Sequence, residues 1–227
     1  MAATHSTHRR FAMPGDQDRI AHALDLYEGA VFRDENDGLA TADTVLDAVE
    51  ADLALARGRV VHARFLTDRE SPDARELALF ERAAELYGEL GDGRGEGEAR
   101  FWIGTYHQVV AGDVETALPF FEQALELATK AGDTLTMSYA LRHLAFAAHM
   151  AGDLAAARER MEESTRLRRE LGFTAGVAAN LLGLAFIAKD DGRADDSRAA
   201  VEEAAALAEA GGAEGVKRWI EEARGEL

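Results

Sequence analysis

Laid against itself forty residues out of step, the chain repeats. Gly112, Gly152 and Gly192 are forty apart, and so are Gly132, Gly172 and Gly212. Glycine adopts at little cost the left-handed conformation that ends a helix, so the two interleaved series predict helix, turn, helix, turn, again and again. Asp113 and Asp153 follow turns of the first series and are placed to cap the next helix. Between turns the apolar positions recur in step: Phe101, Leu141 and Leu181, then Leu127, Leu167 and Leu207. Small residues recur where helices must approach closely, at Thr105, Ala145 and Ala185, at Ala117, Ala157 and Ser197, and at Ala124, Ser164 and Ala204. A less regular copy stands 41 residues upstream, where Phe80, Ala83, Leu86 and Gly91 match Phe121, Ala124, Leu127 and Gly132.

Composition agrees with an all-α chain. Hydrophobic residues make up 47% of the 227, enough for a continuous core, and only three prolines interrupt it. With no cysteine, disulfides, thiolate metal sites and cysteine nucleophiles are excluded. A formal charge of −17 repels phosphate backbones and anionic lipid, so neither nucleic acid nor membrane is an expected partner. Lysine occurs only at 130, 189 and 217, and the arginine and alanine bias fits a bacterial protein. The N-terminus has no apolar segment of a signal peptide, and no run approaches the ~20 apolar residues of a membrane span, so a cytoplasmic location is expected.

Residues 1–17 read as a flexible polar tail, whose His5, His8, Arg9 and Arg10 are solvated. Residues 18–54 read as an N-terminal helical cap region, 55–212 as the repeats and 213–227 as a C-terminal capping helix. In the cap region Ile20, Leu24, Tyr27 and Val31 share one helical face, and DENDG at 34–38 breaks the helix. A longer helix follows from about Ala42 to Arg69, with Leu46, Val49, Leu53, Ala56, Val60 and Ala63 as its apolar stripe. Ser71 and Pro72 then suit the cap and first turn of the next helix, and GDGRGEG at 91–97 reads as the most flexible internal joint. Pro119 predicts a bend or a late helix start. Near the end Val216, Trp219 and Ile220 share a face.

The combination Ala145, Gly152, Ala157, Met161, Ser164, and again Ala185, Gly192, Ser197, Val201, Ala204, resembles the tetratricopeptide repeat. The usual unit is about 34 residues, so forty resembles the longer variant of bacterial sensor and regulator proteins. The resemblance implies a right-handed α-solenoid of about four antiparallel hairpins, with the first helix of each pair lining a concave groove. It places three columns in that groove: Phe65, Tyr106, Phe146 and Phe186; Val61, Trp102, Arg142 and Leu182; and Asp68, Val109, His149 and Lys189. Tyr139 lies one turn before Arg142. The candidate ligand-binding residues are therefore Trp102, Tyr106, Tyr139, Arg142, Phe146, His149 and Phe186. Amphipathic rings beside a cation suit a peptide or a small anionic ligand, and they equally suit packing between helices.

No catalytic residue, metal or cofactor is assigned. GxSxG, a phosphate-binding loop and HExxH are absent, and His143 and His149 lack the spacing that lets two imidazoles share a metal. Arg158, Arg160, Arg166, Arg168 and Arg169 form a basic cluster in which Arg158–Glu162, Glu162–Arg166 and Arg166–Glu170 have ion-pair spacing, so a solvated face is expected. The functional expectation is a non-enzymatic protein- or peptide-binding scaffold. A sensor acting through a partner protein and an enzyme built on the groove residues are the alternatives. The N-terminal helices also offer a homodimer contact.

Overall fold

The computed structural model of the chain describes residues 16–227, so the readings made on residues 1–15 lie outside the described residues. The described residues form an α-solenoid in which each helix packs mainly on its neighbours in sequence. Helices α1 (Asp16–Arg33) and α2 (Leu39–Thr67) precede α3 (Arg75–Leu90). Three hairpins follow: α4 (Gly93–Thr105) with α5 (Val114–Ala131), α6 (Thr134–Met150) with α7 (Leu154–Glu170), and α8 (Thr174–Asp190) with α9 (Ala194–Ala210). Helix α10 (Glu214–Ala223) packs on α9 and α8, burying Val216 and Ile220 while Trp219 stays 43% exposed. No described helix is long and apolar enough to cross a membrane.

The turns form as the glycine series requires. Gly152 sits at φ 80°, where its N–H donates to His149 O and the next N–H, of Asp153, donates to Ala148 O. These bonds satisfy carbonyls that the helix end would otherwise leave open. The Asp153 carboxylate then accepts from Ala156 N and starts α7, and Asp113 accepts from Thr116 N to start α5. Asp92 and Asp133 cap α4 and α6 in the same way. The small-residue columns are the buried contacts: Ala117, Ala157, Ala124, Ser164, Ala145 and Ala185 are all 0% exposed.

Several expectations change. GDGRGEG is not a joint, because α4 begins at Gly93 and only Gly91 takes a positive φ. Gly95 and Gly97 are packing positions: a Cβ on Gly95 would lie 2.5 Å from the Tyr87 ring, and one on Gly97 3.0 Å from Leu127. Ser71 does not cap α3, which starts at Arg75, where the Asp73 carboxylate accepts from Arg75 N. Helix α5 starts at Val114 and runs through Pro119 rather than starting late.

A π-helical turn, Tyr106–Val110, follows α4, with Ala111 N bonded to Tyr106 O. It absorbs one residue. Gly91 to Gly132 spans 41 positions, whereas Gly132 to Gly172 spans 40. Counted from the turn glycine, Trp102 therefore stands level with His143 of α6. The column that paired Trp102 with Arg142 is corrected by that one step.

The largest correction is α2. Its expected core stripe faces outward, with Leu46 45%, Leu53 53% and Val60 52% exposed. The buried face is instead Ala51, Ala54, Leu55, Gly58, Val61 and Phe65. Helix α2 is apolar on two sides, and α3 packs on the side that carries Ala51, Ala54 and Gly58. The Phe80 ring lies so close to Gly58 that a Cβ there would be 2.4 Å from it. The same inversion holds in α1, where Ala23 is buried while Leu24, Tyr27 and Val31 are more than half exposed.

Candidate functional site

The candidate residues do not form one cluster. Trp102 is half-buried at the seam between α2 and α4, stacked on Phe80 at 5.5 Å and edge-on to His62 at 5.3 Å, with the Arg59 guanidinium 5.6 Å from its ring. Tyr106 begins the π turn, edge-on to His107. Phe146 is 47% exposed, and Phe186 packs against the C-terminal core. His149 sits at the far end of α6, where Nε2 lies 2.7 Å from Asp190 of α8.

Tyr139 and Arg142 are different, because α6 brings them onto residues of α7 and α8. Arg142 Nη1 donates to Ala179 O and to Asn180 Oδ1, both at 2.9 Å. The same Asn180 oxygen accepts from Arg168 Nη1 at 2.9 Å. The Asn180 amide nitrogen in turn donates to Ser164 Oγ at 2.8 Å, and Ser164 donates to Ser138 O at 2.6 Å. Arg168 also donates to Gly176 O, and its guanidinium lies 4.8 Å over the Tyr139 ring and 5.5 Å from that of Phe173. Gly176 leaves the room for this, since a Cβ there would lie 2.4 Å from Phe173 and 3.0 Å from the Arg168 stem.

Two guanidiniums thus share one neutral amide oxygen, and among the described residues no carboxylate hydrogen-bonds either of them. Arg168 is 2% exposed, and its Nη2 has no hydrogen-bond partner among the described residues. Burial, then the Arg142 charge, holds its pKa down to about 9, and burial lowers that of Arg142 as well. Next to them His143 Nδ1 lies 2.6 Å from Gln108 Oε1, and Gln108 Nε2 donates back to His143 O. The ring is the neutral, Nδ1-protonated form. Burial, followed by the charges of Arg142, Arg168 and His62, pushes its pKa down to about 3. The site is a positive, largely desolvated cluster with aromatic rings against Arg168 and a neutral histidine at its edge. Its guanidinium N–H groups are donors suited to an anion.

The tetratricopeptide-repeat family model matches residues 99–170, from α4 to the end of α7. Those residues are tetratricopeptide repeats. No curated protein matches the chain at a significant level.

In tetratricopeptide-repeat terms the site interrupts the repeat. Counting forty along the chain, Arg168 occupies a column whose other members are Ala128 and Ala208, buried at 1% and 0%. Asn180 stands in line with Ala140, also 0% exposed. Ser164 stands where Ala124 and Ala204 stand. Three polar residues in three small-residue columns meet in space. The basic cluster of α7 is accordingly not one solvated face. Arg158–Glu162 and Arg166–Glu170 pair as expected, and Arg166 also pairs with Glu163 rather than Glu162. Arg168 turns inward. The sequence signal was the charged residue in an alanine column, masked by its basic neighbours Arg166 and Arg169.

Proposed function

We propose that the chain is a non-enzymatic protein- and peptide-binding scaffold whose concave side receives a carboxylate-bearing segment at Arg142 and Arg168. The observation that carries this reading is the pair of guanidiniums sharing Asn180 Oδ1, with one buried Nη2 unpartnered. A buried charge without a counter-charge is costly, and an incoming carboxylate offsets that cost. Arg142 is the outer of the two and partly exposed, so it makes first contact, with Tyr139 and Phe173 as the apolar wall behind it at Arg168. Tetratricopeptide repeats in general bind proteins or peptides, which supports the scaffold class. Trp102, Tyr106, Phe146, His149 and Phe186 would extend the contact along the array.

The test is binding of fluorescent peptides ending in Asp or Glu, measured by anisotropy against their amidated, uncharged counterparts. The acidic peptides should bind, weaken with salt, and lose at least about tenfold in affinity with Arg142→Ala, as expected for one charge-assisted pair of about 1.5–3 kcal/mol. Equal binding of charged and uncharged peptides, or an unaffected R142A, would remove the carboxylate from the reading. A small dicarboxylate that raises the melting temperature of the wild type but not of R142A would move the assignment to a small-molecule sensor.

A further inference from the structure

The outward stripe of α2 has a pattern of its own. Leu46, Leu53 and Val60 are seven apart, and Val49, Ala56 and Ala63 follow each of them by three. That is the a and d spacing of a two-stranded coiled coil, sustained over three heptads on a 29-residue helix. The helices of the repeat hairpins span 17 or 18 residues, apart from α4, which is extended by its π turn. Leu46, Leu53 and Val60 are about half exposed, Ala56 and Ala63 are exposed as well, and Val49 is partly covered. The adjoining α1 also leaves Leu24, Tyr27 and Val31 exposed, so the hairpin carries apolar side chains that no described residue buries.

The charges along one flank of the stripe identify the cover. In order they are Asp43, Glu50, Arg57 and Arg64, again seven apart, and all four are exposed. The flank is acidic in its first half and basic in its second. A second α2 laid parallel would set this flank against the partner's other flank, leaving Asp43 and Glu50 opposite Gly38 and Val45 and setting Arg64 against Arg59. Laid antiparallel, it sets Leu46 against Ala63, Val49 against Val60 and Leu53 against Ala56. The same register then places Asp43 opposite Arg64 and Glu50 opposite Arg57, each twice by symmetry. Asp43, Arg57 and Arg64 have no ion-pair partner among the described residues, and Glu50, paired with Arg82, is still half exposed. Seam and flank charges select the same register independently. We infer that the chain forms a homodimer through an antiparallel α2–α2 coiled coil, leaving the groove of each copy free.

Sedimentation velocity on the full chain tests this. The wild type should be a dimer, and Leu53→Glu a monomer with unchanged helical circular dichroism, because Leu53 lies off the intrachain core. Asp43→Arg or Arg64→Asp should each weaken association about tenfold, since two symmetry-related exposed pairs become repulsive, and the double variant D43R/R64D should restore it. The chain has no cysteine, so orientation is read by disulfide formation. L46C/A63C should cross-link between copies and L46C alone should not. A monomeric wild type, a dimer indifferent to L53E, or cross-linking of L46C alone would overturn the inference.

Discussion

The α1–α2 hairpin and the α6–α8 region use the same helical vocabulary in opposite senses. The first exposes Leu46, Leu53, Val60 and Tyr27, which a helix hairpin ordinarily buries. The second buries Arg168, Asn180 and Ser164, which it ordinarily exposes. A repeat array is stabilised by columns of small and apolar residues between successive helices. Both regions keep those columns over most of their length, so each departure is a local addition to a frame that already folds. An outward apolar face adds surface for association, and an inward cation adds a demand for an anion.

The sharpest way to break this comparison is to remove the amide that the two arginines share. Asn180→Ala leaves two buried guanidiniums without their common acceptor and should cost about 3 kcal/mol in urea unfolding. A loss below about 1 kcal/mol would mean that the arginines find water or another acceptor, and that the pocket is not desolvated.

A pH series probes the same pocket through His143. Its folded pKa, about 3, lies below the ordinary histidine value, so between the two the unfolded chain binds the extra proton. Stability from this residue is therefore complete above pH 6.5 and falls as pH drops. The slope is about 1.4 kcal/mol per pH unit, or about 2 kcal/mol between pH 7 and pH 5. Chemical denaturation at the two pH values should show that difference reduced by about this amount in His143→Gln.

On the α2 side, Gly58→Ala asks whether the inner face is as tight as the geometry says. The added methyl meets the Phe80 ring. Overpacking of about 2 kcal/mol, offset by about 1 kcal/mol of helix propensity, leaves a net loss near 1 kcal/mol by thermal unfolding. The outer face should answer differently. Leu53→Gln, measured at a dilution where the chain is monomeric, should change stability by less than about 0.5 kcal/mol, as for an ordinary surface position. A larger loss would place Leu53 in an intrachain core and erase the contrast between the two faces.

Much of this molecule was legible from its residues. The glycine turns, the aspartate caps at 113 and 153, the alanine and serine packing columns and the all-α repeat architecture follow from local conformation and from a period that recurs. The arginine cluster is half legible: Tyr139 and Arg142 stand out because neighbouring copies lack them, whereas Arg168 reads as one of a run of basic residues and Asn180 has no mark of its own. Their columns contain alanine elsewhere, and a polar residue there is a signal only when the column is known to be buried.

What the sequence by itself determined is everything set within one helix and the turn beside it: where helices end, how long a hairpin is, and which residues are small enough for close approach. Only the tertiary structure decided which of the two apolar faces of α2 meets α3, that the extra residue of the first hairpin is absorbed as a π turn, and that Arg168 turns inward while Arg166 turns out. Periodicity names the faces of a helix. Burial depends on which neighbour arrives at which face, and that is a property of the packed array.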